Sequence, residues 1–91
     1  MLEQFENYLI SKGYKKTTPS GKPSTVYDYI GRIQFVANIE AITVEHLAKN
    51  IDNIIKMYGS GGIKEDLGNI SHRSVINALK RFSEFIKSEK K

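Results

Sequence analysis

The segment Ser71–Ile86, SHRSVINALKRFSEFI, constrains this chain more than any other. At about 100° per residue, Val75, Ile76, Leu79, Phe82 and Ile86 fall on one side of a helix. Arg73, Asn77, Lys80, Arg81 and Glu84 fall on the other. A helix written this way must lay its apolar stripe against other elements and hold charge outward. Ser71 precedes the apolar rhythm and is placed to cap the first free N–H groups.

Three further helices supply what that stripe packs against. The first covers Leu2–Ser11, with Leu2, Phe5, Tyr8 and Leu9 inward and Gly13 as its stop. The second starts at Ser24 or Thr25, where Thr25 and Asp28 fit an acidic variant of the capping box. Its apolar arc is Val26, Tyr29, Ile30, Ile33, Val36 and Ala37, with Gly31 a weak point and Phe35 off the arc. The third is capped by Thr43 and spans Val44–Tyr58, with Leu47, Ile51, Ile54 and Ile55 inward and Gly59 at its end. Between helices one and two, YKKTTPSGKP reads as a long loop. Gly59–Asn69 reads as a polar loop in which GSGG is a flexible turn and Ile63 and Leu67 are anchors. No segment alternates cleanly between β-branched and polar residues, so the chain reads as all-α with four helices, whose crossing angles the short connections do not fix.

Ninety-one residues make one domain with a modest core. No Cys is present, so disulfides and thiolate metal sites are excluded and a reducing cytoplasm is the expected home. His46 and His72 lack ligand spacing, and no cofactor is implied. No apolar run approaches the roughly 20 residues of a membrane span, and the acidic, interrupted N-terminus is unlike a signal peptide. The net charge of +4 is segregated: residues 40–66 carry a balance of −2 and the remainder +6. No acid stands between Glu6 and Asp28, and Lys87, Lys90 and Lys91 close the chain. A polyanion on one side is the physical partner of such a pattern.

Catalytic motifs are absent. There is no nucleophile elbow and no HExxH, and GSGG lacks the Lys-Ser or Lys-Thr of a P-loop. The basic positions group instead. Lys15, Lys16 and Lys22 provide charge; Thr17, Thr18, Ser20, Ser24 and Thr25 provide hydroxyls; and the start of helix two provides N–H groups and a positive dipole end. Tyr14 and Tyr27 lie beside this loop, where a phenol can donate to a phosphate. Ser71, His72, Arg73 and Ser74 repeat the arrangement, and Asn77, Lys80 and Arg81 continue it with side chains suited to base edges.

The order and spacing of these helices resemble the N-terminal core-binding, or SAM-like, domain of phage integrases and other tyrosine recombinases. The resemblance rests on Phe5 and Tyr8-Leu9 in helix one, and on Thr25, Tyr29, Ile33 and Val36 in helix two. It continues through Ile42-Thr43-Val44-Glu45-His46-Leu47, then Ser74, Leu79, Phe82 and Phe85-Ile86, over almost the whole chain. It implies an all-α, compact four-helix orthogonal bundle over residues 1–86 that clamps double-stranded DNA without cleaving it. DNA contacts are then implied near Ser24, Thr25, Tyr27 and Asp28, and at His72, Arg73, Asn77, Lys80 and Arg81. Residues 87–91 become the basic start of a linker to a catalytic domain that this chain does not contain.

The implied partners are duplex DNA, that covalently linked catalytic domain and other recombinase protomers, in a bacterial or phage-encoded, nucleoid-associated protein. Two departures stand out. The Lys15–Lys22 loop is longer than the family's tight turn, and the Arg, Lys, His and Tyr catalytic constellation is missing, so none of the five tyrosines is a nucleophile. A small helical protein-interaction module, docking a partner through Phe35, Tyr14 and the loop, is the alternative reading.

Overall fold

The computed structural model describes residues 1–21 and 24–89, which fold as an all-α domain with no strand element among them. Six helical segments follow in order: α1 (Leu2–Ser11), α2 (Thr25–Glu40), α3 (Val44–Lys49), α4 (Ile51–Tyr58), α5 (Glu65–Gly68) and α6 (Ile70–Glu89). Helices one and two run as the periodicity predicts. The third is divided and the fourth begins differently. Among the described residues, no helix is long and apolar enough to cross a membrane.

The core is built around α6, which packs against each of the other helices. Its buried residues are Ser74, Val75, Ile76, Ala78, Leu79, Phe82, Ser83, Phe85 and Ile86, an arc of roughly 200° at 3.6 residues per turn. This arc is wider than the five-residue stripe expected, because Ser74, Ala78 and Phe85 are buried along one flank of that stripe. Phe5 of α1 meets Phe82 edge-on, with ring centroids 5.0 Å apart, and Phe85 at 5.6 Å. Val26, Ile33, Val36 and Ala37 bury the inner face of α2, and Leu47, Ile51, Ile54 and Tyr58 that of α3 and α4. Phe35 is half-buried against this core, not held outward for a partner.

The expected single third helix breaks at Asn50. Thr43 caps its start, the hydroxyl accepting from His46 N–H at 3.0 Å. The Asn50 side-chain amide then donates back to the His46 carbonyl at 3.0 Å, and the backbone there leaves helical geometry at φ −111°, ψ 22°. A short polar side chain that competes for backbone partners interrupts a helix in this way.

The Gly59–Asn69 stretch forms a corner in which Gly59, Gly62 and Gly68 pass close against the chain while Gly61 stands in open space. Lys64 N–H donates to the Met57 carbonyl at 2.8 Å, and α5 follows at once. A Cβ at Gly62 would collide with the Lys56 and Met57 carbonyls, and one at Gly68 with the Tyr58 carbonyl. Leu67 packs against the core, whereas Ile63 is 86% exposed and anchors nothing. The corner is tied to the end of α2 by Glu40, whose carboxylate accepts from the buried Tyr58 hydroxyl at 2.7 Å and from Lys64 Nζ. The Lys64 hydrogen bond holds the Glu40 pKa below the usual carboxylate range, with the Tyr58 bond adding to it against the cost of burial. Burial first, then the Glu40 bond, pushes the Tyr58 phenol up.

Two glycines should respond oppositely to alanine. Gly31 lies inside α2 facing open space, so Gly31→Ala should raise stability by about 1 kcal/mol. Gly68→Ala should lower it by about 2–3 kcal/mol, because the Tyr58 carbonyl cannot move freely. Urea denaturation of the two variants checks both signs. Glu40 supplies a pH test. Its folded pKa lies below its unfolded value, so its contribution is full above the ordinary carboxylate pKa and is lost as pH falls through the folded value. Thermal melts from pH 7 to pH 3 should show a shallower acid loss in Glu40→Gln, from a lower neutral-pH starting point.

Candidate nucleic-acid interface

The regular part of α6 begins at Ser74, not at Ser71. Ser71, His72 and Arg73 are left-handed, with φ of 54°, 57° and 68°. Left-handed geometry costs roughly 1–2 kcal/mol per non-glycine residue, so three in succession need outside support. Ser71 therefore caps nothing; its hydroxyl accepts from Arg32 Nη2 at 2.9 Å. Arg73 N–H closes the turn on the Asn69 carbonyl at 3.1 Å.

Asp28 also departs from its expected capping role. No side chain caps α2, and the Asp28 carboxylate instead accepts from the Ser74 hydroxyl and pairs with Arg32, whose Nε lies 3.3 Å away. The N-terminal turn of α2 is pinned to the first regular turn of α6. Helix α2 does not offer its amides as freely as the sequence implied. Val26 N–H donates to the Lys15 carbonyl at 3.1 Å, and Ser24 N–H to that of Lys16 at 3.0 Å, so the loop is stitched to the helix start.

A second pin lies seven residues along α6, about 10 Å at 1.5 Å per residue. Arg81 Nη1 donates to the Tyr14 hydroxyl over a long 3.5 Å, and Arg81 Nη2 pairs with Glu84 at 3.0 Å. Tyr14 in turn packs on Tyr29, with centroids 5.9 Å apart. The Tyr14 bond raises the Arg81 pKa against the cost of partial burial, and burial followed by Tyr14 raises that of Tyr29.

These two pins hold the loop and the start of α2 against the Ser74 and Arg81 edge of α6. Of the expected contact residues, Lys15, Thr17, Tyr27, His72, Arg73 and Lys80 are exposed, and Thr18, Ser24, Thr25, Asn77 and Arg81 are half-buried. Thr18 shares a 2.9 Å hydrogen bond with Ser20. Lys22 lies outside the described residues. Lys16 is partly neutralised at home: its ammonium pairs with Glu6 at 2.7 Å and sits 5.7 Å from the Tyr27 ring centroid. The Glu6 hydrogen bond raises its pKa. Among the described residues no ion pair involves Lys15, Arg73 or Lys80.

Sequence reasoning missed Arg32, which joins both clusters. Its i,i+4 spacing from Asp28 was the available signal. Among the described residues no group of His, Asp and Glu could hold a metal ion. Comparison of the chain with protein-family models, with curated proteins and with solved structures gave no match.

The Asp28–Ser74 bond joins residues far apart in sequence, so Asp28→Ala and Ser74→Ala should be strongly non-additive. Each should destabilise the fold, and the double variant should recover about 1–2 kcal/mol relative to the sum. Urea denaturation of the four-protein cycle measures this coupling. Additive losses would mean that the bond does not hold the two helices together.

Proposed function

We propose that this chain is a DNA-binding module of the tyrosine-recombinase type, the core-binding half of a clamp that holds duplex DNA and does no cleavage by itself. The observation that carries this reading is that Lys15, Arg73 and Lys80 are exposed and without an ion pair among the described residues, with Thr17 and Tyr27 also exposed. Exposed cations with interspersed hydroxyls suit the oxygens of a phosphodiester backbone, which accept from every one of these groups. The exposed arc of α6 adds Asn77, half-buried between the two pins, as a side chain able to pair with an adenine edge.

Within this reading Asp28, which accepts from Ser74 and forms an ion pair with Arg32, organises the surface and does not contact phosphate. Lys16, paired with Glu6, contributes less than Lys15. The family assignment rests on the resemblance in sequence and is supported by the all-α fold. The protein-interaction alternative is weaker for a stated reason: Phe35 and Tyr14, the aromatic anchors it would use, both pack against the core.

Salt separates the two. On a duplex of mixed sequence, log Kd should rise linearly with log salt, by about 0.9 for each phosphate neutralised. Arg73→Ala and Lys80→Ala should each weaken binding and reduce that slope by about 1. Fluorescence anisotropy from about 50 to 200 mM salt reads both quantities. Salt-insensitive binding, or amide shifts in an NMR titration confined to the acidic α4–α5 side, would exclude the assignment.

A further inference from the structure

We propose that Arg32 is a positioning residue that builds the left-handed Ser71–Arg73 turn and so sets where His72 and Arg73 project. The argument starts from the turn itself. Three consecutive non-glycine residues hold positive φ, a geometry that persists only where surrounding structure over-determines it. Within the turn, His72 and Arg73 are exposed, so their side chains do not anchor it in the core. The support comes from its two ends. At the first end, Ser71 Oγ accepts from Arg32 Nη2 at 2.9 Å. At the other, Ser74 Oγ donates to Asp28, and Asp28 pairs with Arg32 Nε at 3.3 Å. A single guanidinium thus closes a circuit that brackets the strained residues from the neighbouring helix.

The chemistry of the bracket requires arginine. Its planar fork lets Nη2 donate to Ser71 while Nε, which makes no hydrogen bond, stays within ion-pair range of Asp28. A lysine ammonium at the same place keeps the charge but is a single point on a flexible stem, and it would satisfy one partner at a time. Arg32 is itself half-buried with its Nε enclosed, which leaves it poorly placed to meet a partner directly. Its neighbours in the turn, and not Arg32, carry the exposed charge. What His72 and Arg73 meet rests on the DNA reading above; that Arg32 shapes their turn does not.

The test uses Arg32→Lys, with Arg32→Gln as a second variant, in the free protein and on duplex DNA. Positive φ produces strong intraresidue HN–Hα NOEs. Those of Ser71, His72 and Arg73 should be present in the wild type and lost in both variants, while core amides of α1 and α4 stay in place. Affinity for a mixed-sequence duplex should fall roughly five-fold in Arg32→Lys despite the retained charge. In an Arg73→Ala background the same substitution should cost almost nothing further. Retained NOEs, or wild-type affinity in Arg32→Lys, would overturn the proposal. Lost NOEs in a protein whose wild type never binds duplex DNA would support the positioning role and remove the DNA reading.

Discussion

Burial of α6 around more than half its circumference is the constraint that the remaining structure obeys. A helix with apolar or small residues over roughly 200° cannot be satisfied by one neighbour. Helices α1 and α2, and then the α3–α5 segment, must therefore surround it, and the aromatic contacts among Phe5, Tyr8, Phe82 and Phe85 fill the space where α1 crosses. Deleting a ring such as Phe82 would cost about 3–5 kcal/mol, comparable to much of the stability of a domain this size. What burial leaves open is one narrow arc, Asn77, Lys80, Arg81, Glu84 and Lys87. Any partner of α6 meets it there or at the left-handed turn.

That geometry turns an ordinary charged helix face into a defined surface. Helix α2 and its preceding loop are fastened beside the arc at two heights, by Asp28–Ser74 and by Tyr14–Arg81. Both fastenings use polar groups that the residue types alone would assign to a ligand. A carboxylate, a serine hydroxyl and an arginine near a helix start read equally as a phosphate site or as its internal substitute. In this fold Asp28 is the anion at that place, accepting from Ser74 and pairing with Arg32.

The legible parts of the fold were those set by local rules. The 3.6-residue rhythm of Phe5 and Leu9, or of Val26, Ile33 and Val36, needs only a neighbour to bury against, and the Thr43 cap needs only the amide of His46. The illegible parts depend on contacts distant in sequence. Ser71 to Arg73 look like good first-turn helix residues; they turn left-handed where Arg32 and Asp28, about forty residues earlier, bracket them. Gly68 looks like a loop residue until the Tyr58 carbonyl lies where a side chain would be. Asn50 was an intermediate case, since its competition with the His46 carbonyl is local, yet the even apolar spacing of Leu47, Ile51 and Ile54 masked it. Within the candidate site, the basic and hydroxyl residues were visible as types. Which of them are spent internally, Lys16 on Glu6 and Arg81 on Tyr14 and Glu84, required three dimensions.

The segregation of charge along the chain therefore has two different physical uses. In the acidic middle, Glu40 is spent on structure, desolvated with Tyr58 and Lys64 to close the corner between α2 and α4. The cations outside that middle divide by pairing. Lys16 and Arg81 have nearby carboxylates, Glu6 and Glu84, and their fields are partly cancelled within a few ångströms. Lys15, Arg73 and Lys80 have no such partner among the described residues, so their fields extend into solvent to about a Debye length. A formal charge of +4 thus understates the asymmetry that an approaching polyanion would feel. The relevant quantity is the handful of uncompensated cations, of which Arg73 sits in a left-handed turn whose shape Arg32 and Asp28 impose from the adjacent helix.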